Sequence, residues 1–277
     1  MTMRNPFPVV LVALGLMVAA PAHPAGQPGQ ATLRAWLGFN SFPLGDINNQ
    51  IKAERDAFLA DTLTDESRWD EFGGAPELGG ELEVQITPTL SAGLGVSVQR
   101  SSVRHEALRV FSLDPDTGEP AEIETYDETL TIRAWDVVGS VTLWVPSAPG
   151  LHFGGQVGLV RGTYLTEHWY LIDTNTVLPN MVFTDGSFSG TGAVLGAFTG
   201  YQQALTSQLG FTSRIGYRYR KVNEPKGNTL LTEWGDQGNA REWEEGPLLD
   251  KTGRPMDLDL GGFYFKVGLS LAIGAVE

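Results

Sequence analysis

The chain has 277 residues, with 33 Asp and Glu against 19 Lys and Arg, a formal net charge of −14. It shows no basic patch that could neutralise a phosphate backbone, which argues against a nucleic-acid-binding protein. Cysteine is absent, so there is no disulfide framework and no lipoprotein-type anchor cysteine.

The first segment reads as an export signal. Arg4 precedes an apolar run from Val9 to Ala20, and Ala20-Pro21-Ala22 forms a small-x-small site. The run is too short for a helical membrane span of about 20 residues. Cleavage is expected after Ala22, leaving a short segment over 23–30 and one folded unit over 31–277.

Eight strand candidates follow, most of them with apolar residues at alternate positions. The first is Ala31–Phe42, with Leu33, Ala35, Leu37 and Phe39 on one face. The second, Pro76–Thr87, sets Leu78, Leu82, Val84 and Ile86 against Glu77, Glu81, Glu83 and Gln85. The third, Thr89–Phe111, sets Leu90, Leu94, Val96 and Val98 against Ser91, Gly95, Ser97 and Gln99. The fourth runs Ile123–Val145 and ends with Val141, Leu143 and Val145 outward. The fifth is Leu151–Ile172, the sixth the glycine-rich Ser189–Gln202, and the seventh Gln208–Val222. The eighth closes the chain from about Met256. There Phe263, Phe265, Val267, Leu269, Leu271 and Ile273 alternate with Tyr264, Lys266, Gly268, Ser270 and Ala272. A strand needs only about 9–11 residues to cross a bilayer, so these segments are long enough to cross as strands.

The connections alternate in length. Thr87–Thr89, Pro146–Gly150 and Gln203–Ser207 are short; Pro43–Ala75, the turn around Pro115–Pro120, Asp173–Phe188 and Asn223–Pro255 are longer. Short turns at one end and long loops at the other are the pattern of bacterial outer-membrane barrels. In the first long loop, Ile47, Ile51, Phe58, Leu59 and Leu63 recur near helical spacing, which predicts a short amphipathic helix over the barrel mouth. The last long loop, with Trp234 and Trp243, reads as solvated. Asp114-Pro-Asp116-Thr-Gly118 is turn chemistry rather than a calcium loop, because no bidentate acid follows at the required offset.

The inward parity collects Arg34 from the first strand, Glu81 and Glu83 from the second, Arg214 and Arg218 from the seventh and Lys266 from the eighth. Opposite charges in a low-dielectric lumen must pair. They are expected to form an ion network that fills the barrel, since eight strands leave just enough room for side chains. No metal ligands, cofactor motif or catalytic residues are identified. His105 and His168, with Glu167 beside the latter, are expected as an exposed pair at the loop-side rim. Trp169, Tyr170, Tyr217, Tyr219, Phe263 and Phe265 are candidates for an interfacial aromatic girdle.

The closing strand resembles the assembly signal of small eight-stranded bacterial outer-membrane β-barrel proteins: a polar residue, a glycine and two large apolar residues at fixed spacing. Lys266, Gly268, Leu271 and Ile273 occupy those positions, although Gly274–Glu277 follow where such chains often end on an aromatic residue. The resemblance implies an all-β fold, an eight-stranded antiparallel up-and-down transmembrane barrel with periplasmic turns and extracellular loops. It also implies a monomer in contact with outer-membrane lipids, lipopolysaccharide and the barrel assembly machinery. Three functions fit the sequence: a non-enzymatic envelope or surface-contact protein, a narrow conduit for a small or lipophilic solute, and an outer-leaflet lipid-modifying enzyme. The first is the expected one.

Overall fold

The computed structural model describes residues 28–273 except 43, 61–65, 114–119, 174–179, 236–237 and 251. The export segment and Asp114–Gly118 lie outside these. The described chain is almost entirely antiparallel β: β1 (Ala31–Asn40), β2 (Glu66–Trp69), β3 (Ala75–Thr87), β4 (Leu90–Leu113), β5 (Pro120–Trp144), β6 (Leu151–Asp173), β7 (Asn180–Ala204), β8 (Leu209–Val222), β9 (Lys226–Gly235), β10 (Gly238–Pro247), β11 (Leu258–Asp259) and β12 (Gly262–Ile273), with one helix, α1 (Gly45–Ala60).

Eight strands close a ring. β1 pairs β3, and β3 to β8 pair in succession along β4, β5, β6 and β7. β8 pairs β12, which returns to β1 from Ala31↔Ile273 to Asn40↔Tyr264. Each of the eight candidate segments supplies one ring strand. The sheet nevertheless holds 12 strands, and the other four lie off the ring. β4 to β7 run 24, 25, 23 and 25 residues, whereas β1, β3, β8 and β12 run 10, 13, 14 and 12. One wall therefore stands far above the other, by roughly 30 Å for about 12 extra residues on a tilted strand.

Three short strands widen the tall wall. Above the point where β3 leaves β4 at Gln99, β2 takes over the same edge, pairing Trp69 with His105. β8 leaves β7 at Gly192, and after a turn at Glu224 (φ 43°) the chain continues as β9 from Ser189↔Lys226 up to Met181↔Trp234. β10 then pairs along β9 and forms the free edge. The segment expected to be a solvated loop is thus largely a hairpin. Its backbone finds partners on β7, whose strand begins nine residues earlier than the alternation in the sequence implied.

The apolar core fills the upper lumen. Ile132, Ala134, Val160, Tyr164 and Val194 point inward from the tall wall. Ile47 and Ile51 of α1, with Leu258 and Leu260, close over them. The helix is held by a reciprocal pair of hydrogen bonds: Asn48 Nδ2 donates to the Phe72 carbonyl at 2.8 Å, and the Phe72 amide donates to Asn48 Oδ1 at 3.0 Å. Asp46 in its first turn favours the positive end of the helix dipole. No described helix is long and apolar enough to cross a membrane.

The outer surface is apolar around the ring. Leu33, Leu78, Leu94, Val141, Val157, Leu195, Ile215 and Phe263 are all exposed, one from each ring strand, and Leu94, Val157, Leu195 and Phe263 are more than 60 % exposed. From Phe263 to Ile273, β12 spans about 26 Å of height at an ordinary strand tilt.

Candidate functional site

Below the apolar core the lumen is ionic. Arg34 on β1 faces Glu81 across the ladder, yet its guanidinium reaches diagonally to Glu83. Nη1 lies 2.6 Å from Glu83 Oε2, Nη2 donates to Oε1 at 2.7 Å, and Glu81 is 3.6 Å away. Arg214 on β8 reaches across to Glu81 at 2.5 Å and Glu83 at 3.5 Å. Higher up, Arg218 bonds Glu77 and lies 3.0 Å from Asp136, while Lys266 lies 2.7 Å from Glu77. Arg220 completes this group on Asp136 at 3.2 Å, on Gln99 at 2.9 Å and on the Leu260 carbonyl at 3.1 Å.

Three of the four carboxylates also accept from hydroxyls. Ser140 donates to Glu81, Thr142 to Glu83 at 3.1 Å and Ser97 to Asp136 at 2.8 Å. Aromatic faces take up the cations' remaining surface: Lys266 lies 4.4 Å from the Trp36 ring centre and Arg218 4.2 Å from that of Tyr264. Such a network is mutually dependent, because removal of any member leaves a partner buried without its counter-charge.

The structure brings together all six residues singled out as lumen charges, and adds Glu77, Asp136 and Arg220. Parity could have found each of these. Glu77 shares the face of Glu81 and Glu83, Arg220 that of Arg218, and Asp136 is on the face opposite outward Val141 and Leu143. Of the closing-strand signal, Lys266 enters the lumen and Leu271 and Ile273 face outward. Gly268 sits at the seam, where an added Cβ would lie 2.0 Å from the Ala35 carbonyl oxygen. Glycine there allows β1 and β12 to approach closely enough to close the ring.

A second cluster lies high on the concave face of the tall wall. His105 is fully buried, not exposed at a rim. Its Nδ1 is 2.8 Å from Glu128 Oε2 and its Nε2 2.8 Å from the Asp70 carbonyl oxygen. Both partners are acceptors, so the imidazolium is the form that satisfies both. Burial disfavours the charge, but the Glu128 bond, the Asp70 carbonyl and nearby Glu54 outweigh it and raise the pKa. Tyr126 also donates to Glu128, at 3.1 Å.

The two histidines do not meet. Trp69 and Tyr126 stand between them, with ring centres 5.0 Å from His105 to Trp69, 5.4 Å on to Tyr126 and 4.6 Å on to His168. Burial lowers the pKa of His168. Glu167 points to the opposite, outward face of the wall, so sequence adjacency to His168 brings it no contact with the cluster. The girdle expectation also divides. Tyr217 and Phe263 meet edge to face at 5.2 Å on the outer belt. Trp169 and Tyr170 stand well above it, Tyr170 on the inward side beside His168.

No family model matches the chain, and no curated protein matches it. Solved structures of bacterial outer-membrane proteins are among those that resemble it. A major outer membrane protein from Thermus thermophilus is 11% identical over 88% of this chain and 99% of its own, with a TM-score of 0.32. Acinetobacter baumannii CarO2 is 12% identical over 90% and 100%, TM-score 0.33. The outer membrane protease OmpT from Escherichia coli is 11% identical over 89% and 97%, TM-score 0.33. At these values the likeness carries no argument about activity.

Proposed function

We propose that the chain is an integral protein of the bacterial outer membrane, with a side-chain-filled lumen and a non-catalytic envelope or surface-contact role carried by the projecting wall. The observation that carries this reading is the inverted polarity of the ring. Large apolar side chains stand exposed on all eight ring strands while the ion pairs are inside. In water, a continuous apolar surface of this extent would drive aggregation; in a bilayer it is the required one. The height of the belt on β12 matches an apolar band about 25 Å tall.

The short turns, the start of β1 at Ala31 and the end of β12 at Ile273 lie at one end of the ring, proposed as periplasmic, with residues 1–22 as the cleaved export signal. The tall wall, α1 and the β9–β10 hairpin then face outside. The filled lumen favours a sealed barrel over a conduit, since the ionic layer lies below and the apolar core above it. The network at Lys266 and the tight seam at Gly268 are compatible with the closing strand's proposed role in assembly. The engagement of both His105 nitrogens by fixed acceptors makes that residue a poor general base.

The test is a gel of detergent-extracted membranes together with planar-bilayer recording. The unheated protein is expected to migrate differently from the boiled one, and the inserted protein to give no stepped conductance. Identical migration would overturn the membrane barrel; stable steps would overturn the sealed lumen.

A further inference from the structure

The outward face of the tall wall changes character within one step of strand. Val96, Val98 and Leu159 are exposed and apolar. The next outward positions carry Arg100 on β4, Arg133 on β5 and Arg161 on β6, all exposed. Register places them together. Arg100 is directly opposite Arg133, and Arg161 is opposite Trp135, two residues below Arg133 on the same face. Among the described residues none of the three has an ion pair, whereas Arg104, the next arginine above, is held by Asp127 and Glu106.

Like charges placed directly opposite on neighbouring strands are unfavourable unless a shared anion lies between them. Among the described residues no outward acid stands at this height: Leu78, Val98, Trp135 and Thr191 fill the row of Arg161, Thr163, Ser189 and Lys226 the row of Arg100 and Arg133, and nearby Glu77 turns inward to Arg218 and Lys266. Immediately below, a surface depression of about 420 Å³ is lined by Leu37, Leu78, Val98 and Trp135, with Arg100 and Arg133 at its upper margin. Cations above an apolar hollow, at the edge of an apolar belt, match an amphiphile with an anionic head.

We propose that Arg100, Arg133 and Arg161 bind the phosphate headgroup of an anionic lipid of the outward leaflet, with an acyl chain of the same molecule in the depression over Trp135. Arginine suits this task, since its planar fork bonds phosphate oxygens in pairs. The occupant is a lipid rather than free phosphate because the hollow adjoins the apolar belt, where only acyl chains would be present. The site rests on the membrane reading above.

The test compares wild type with the combined Arg100→Gln, Arg133→Gln and Arg161→Gln variant, each single variant, and a triple Arg→Lys variant. Each is refolded into phosphatidylcholine vesicles containing increasing phosphatidylglycerol, and the thermal unfolding midpoint is read. Protease-protected insertion into pure phosphatidylcholine reports the membrane reading by itself. All proteins are expected to insert there. Phosphatidylglycerol should raise the wild-type midpoint, with the lipid's apparent affinity falling about fivefold per arginine removed. The lysine variant, which keeps the charges without the fork, should retain part of the gain, Arg104→Gln should keep most of it, and inorganic phosphate should give none. An equal gain in the triple Gln variant, or an equal gain from inorganic phosphate, overturns the proposal while the membrane reading stands. Failure of wild type to insert overturns both. Should the triple variant not fold, unchanged lipid dependence in all three single variants overturns the site.

Discussion

Arg34 is 1 % exposed and held between two carboxylates, Glu83 at 2.6 Å and Glu81 at 3.6 Å. Replacing it by Met should cost about 3–5 kcal/mol, because Glu83 would then be buried without its principal counter-charge. Arg214 at 3.5 Å from Glu83 offers partial relief, which favours the lower end. Arg34→Met combined with Glu83→Gln should cost much less than the sum of the two. A double-mutant cycle in urea reads that coupling, and additive costs would mean that water screens the pair. His105 supplies the corresponding case outside the membrane. Its folded pKa is raised above the unfolded value of about 6.5. The stabilisation is therefore fully present below about pH 6.5 and is lost as pH rises through the folded value. Hydrogen exchange at Ser67–Trp69, corrected for the intrinsic rate, should accelerate on raising the pH, and His105→Gln should abolish that dependence. Equal acceleration in the variant would refute the assignment.

β7 shows how one element serves two environments. Its lower half carries Leu195, 62 % exposed, and its upper half carries exposed Ser187 on the same face eight residues earlier. The lower half pairs with β8 and the upper with β9. Leu195→Arg should destabilise the inserted barrel by about 2–4 kcal/mol, while Ser187→Arg, above the belt, should cost about 0–1 kcal/mol. Urea unfolding from lipid vesicles measures both, and equal costs would place the membrane boundary elsewhere. β10 behaves differently again. Ala240 to Glu245 are all exposed, and Arg241, Glu242, Glu244 and Glu245 charge its free edge, which discourages pairing with another chain.

At the scale of the whole molecule, three short turns sit at one end of the ring and the tall wall at the other. Cysteines placed at exposed Ser147, in the turn between β5 and β6, and at exposed Ala240 on β10 test which end faces outside. An impermeant thiol reagent on intact cells is expected to label Ala240→Cys and not Ser147→Cys. The reverse pattern would invert the proposed topology. The two fillings of the ring differ in kind because they meet different neighbours. The lower lumen is enclosed by the eight ring strands alone and closes with side-chain ion pairs. The upper lumen is reached by α1 and the segment before β12, which supply apolar side chains.

Period-two alternation in the chain was enough to place eight ring strands, the facing of all but the glycine-rich sixth, and most of the inward charges, because a side chain's face depends only on whether its position is odd or even. The long first loop likewise disclosed a helix through its apolar spacing, within three residues of its observed end. The stretch 226–247 disclosed nothing comparable. It has few alternating apolar residues and is exposed along β10, and it is extended because the upper edge of β7 offers unpaired backbone groups. Burial of His105 was equally hidden, since it depends on β2 crossing above β3 and bringing Trp69 and the Asp70 carbonyl with it. Parity put Arg34 and Glu83 on one face, but only the closed ring showed that the guanidinium passes its cross-strand partner Glu81 to bond Glu83. The same holds for Arg100, Arg133 and Arg161. They are far apart along the chain, and only strand register, which is a property of the assembled sheet, sets them side by side.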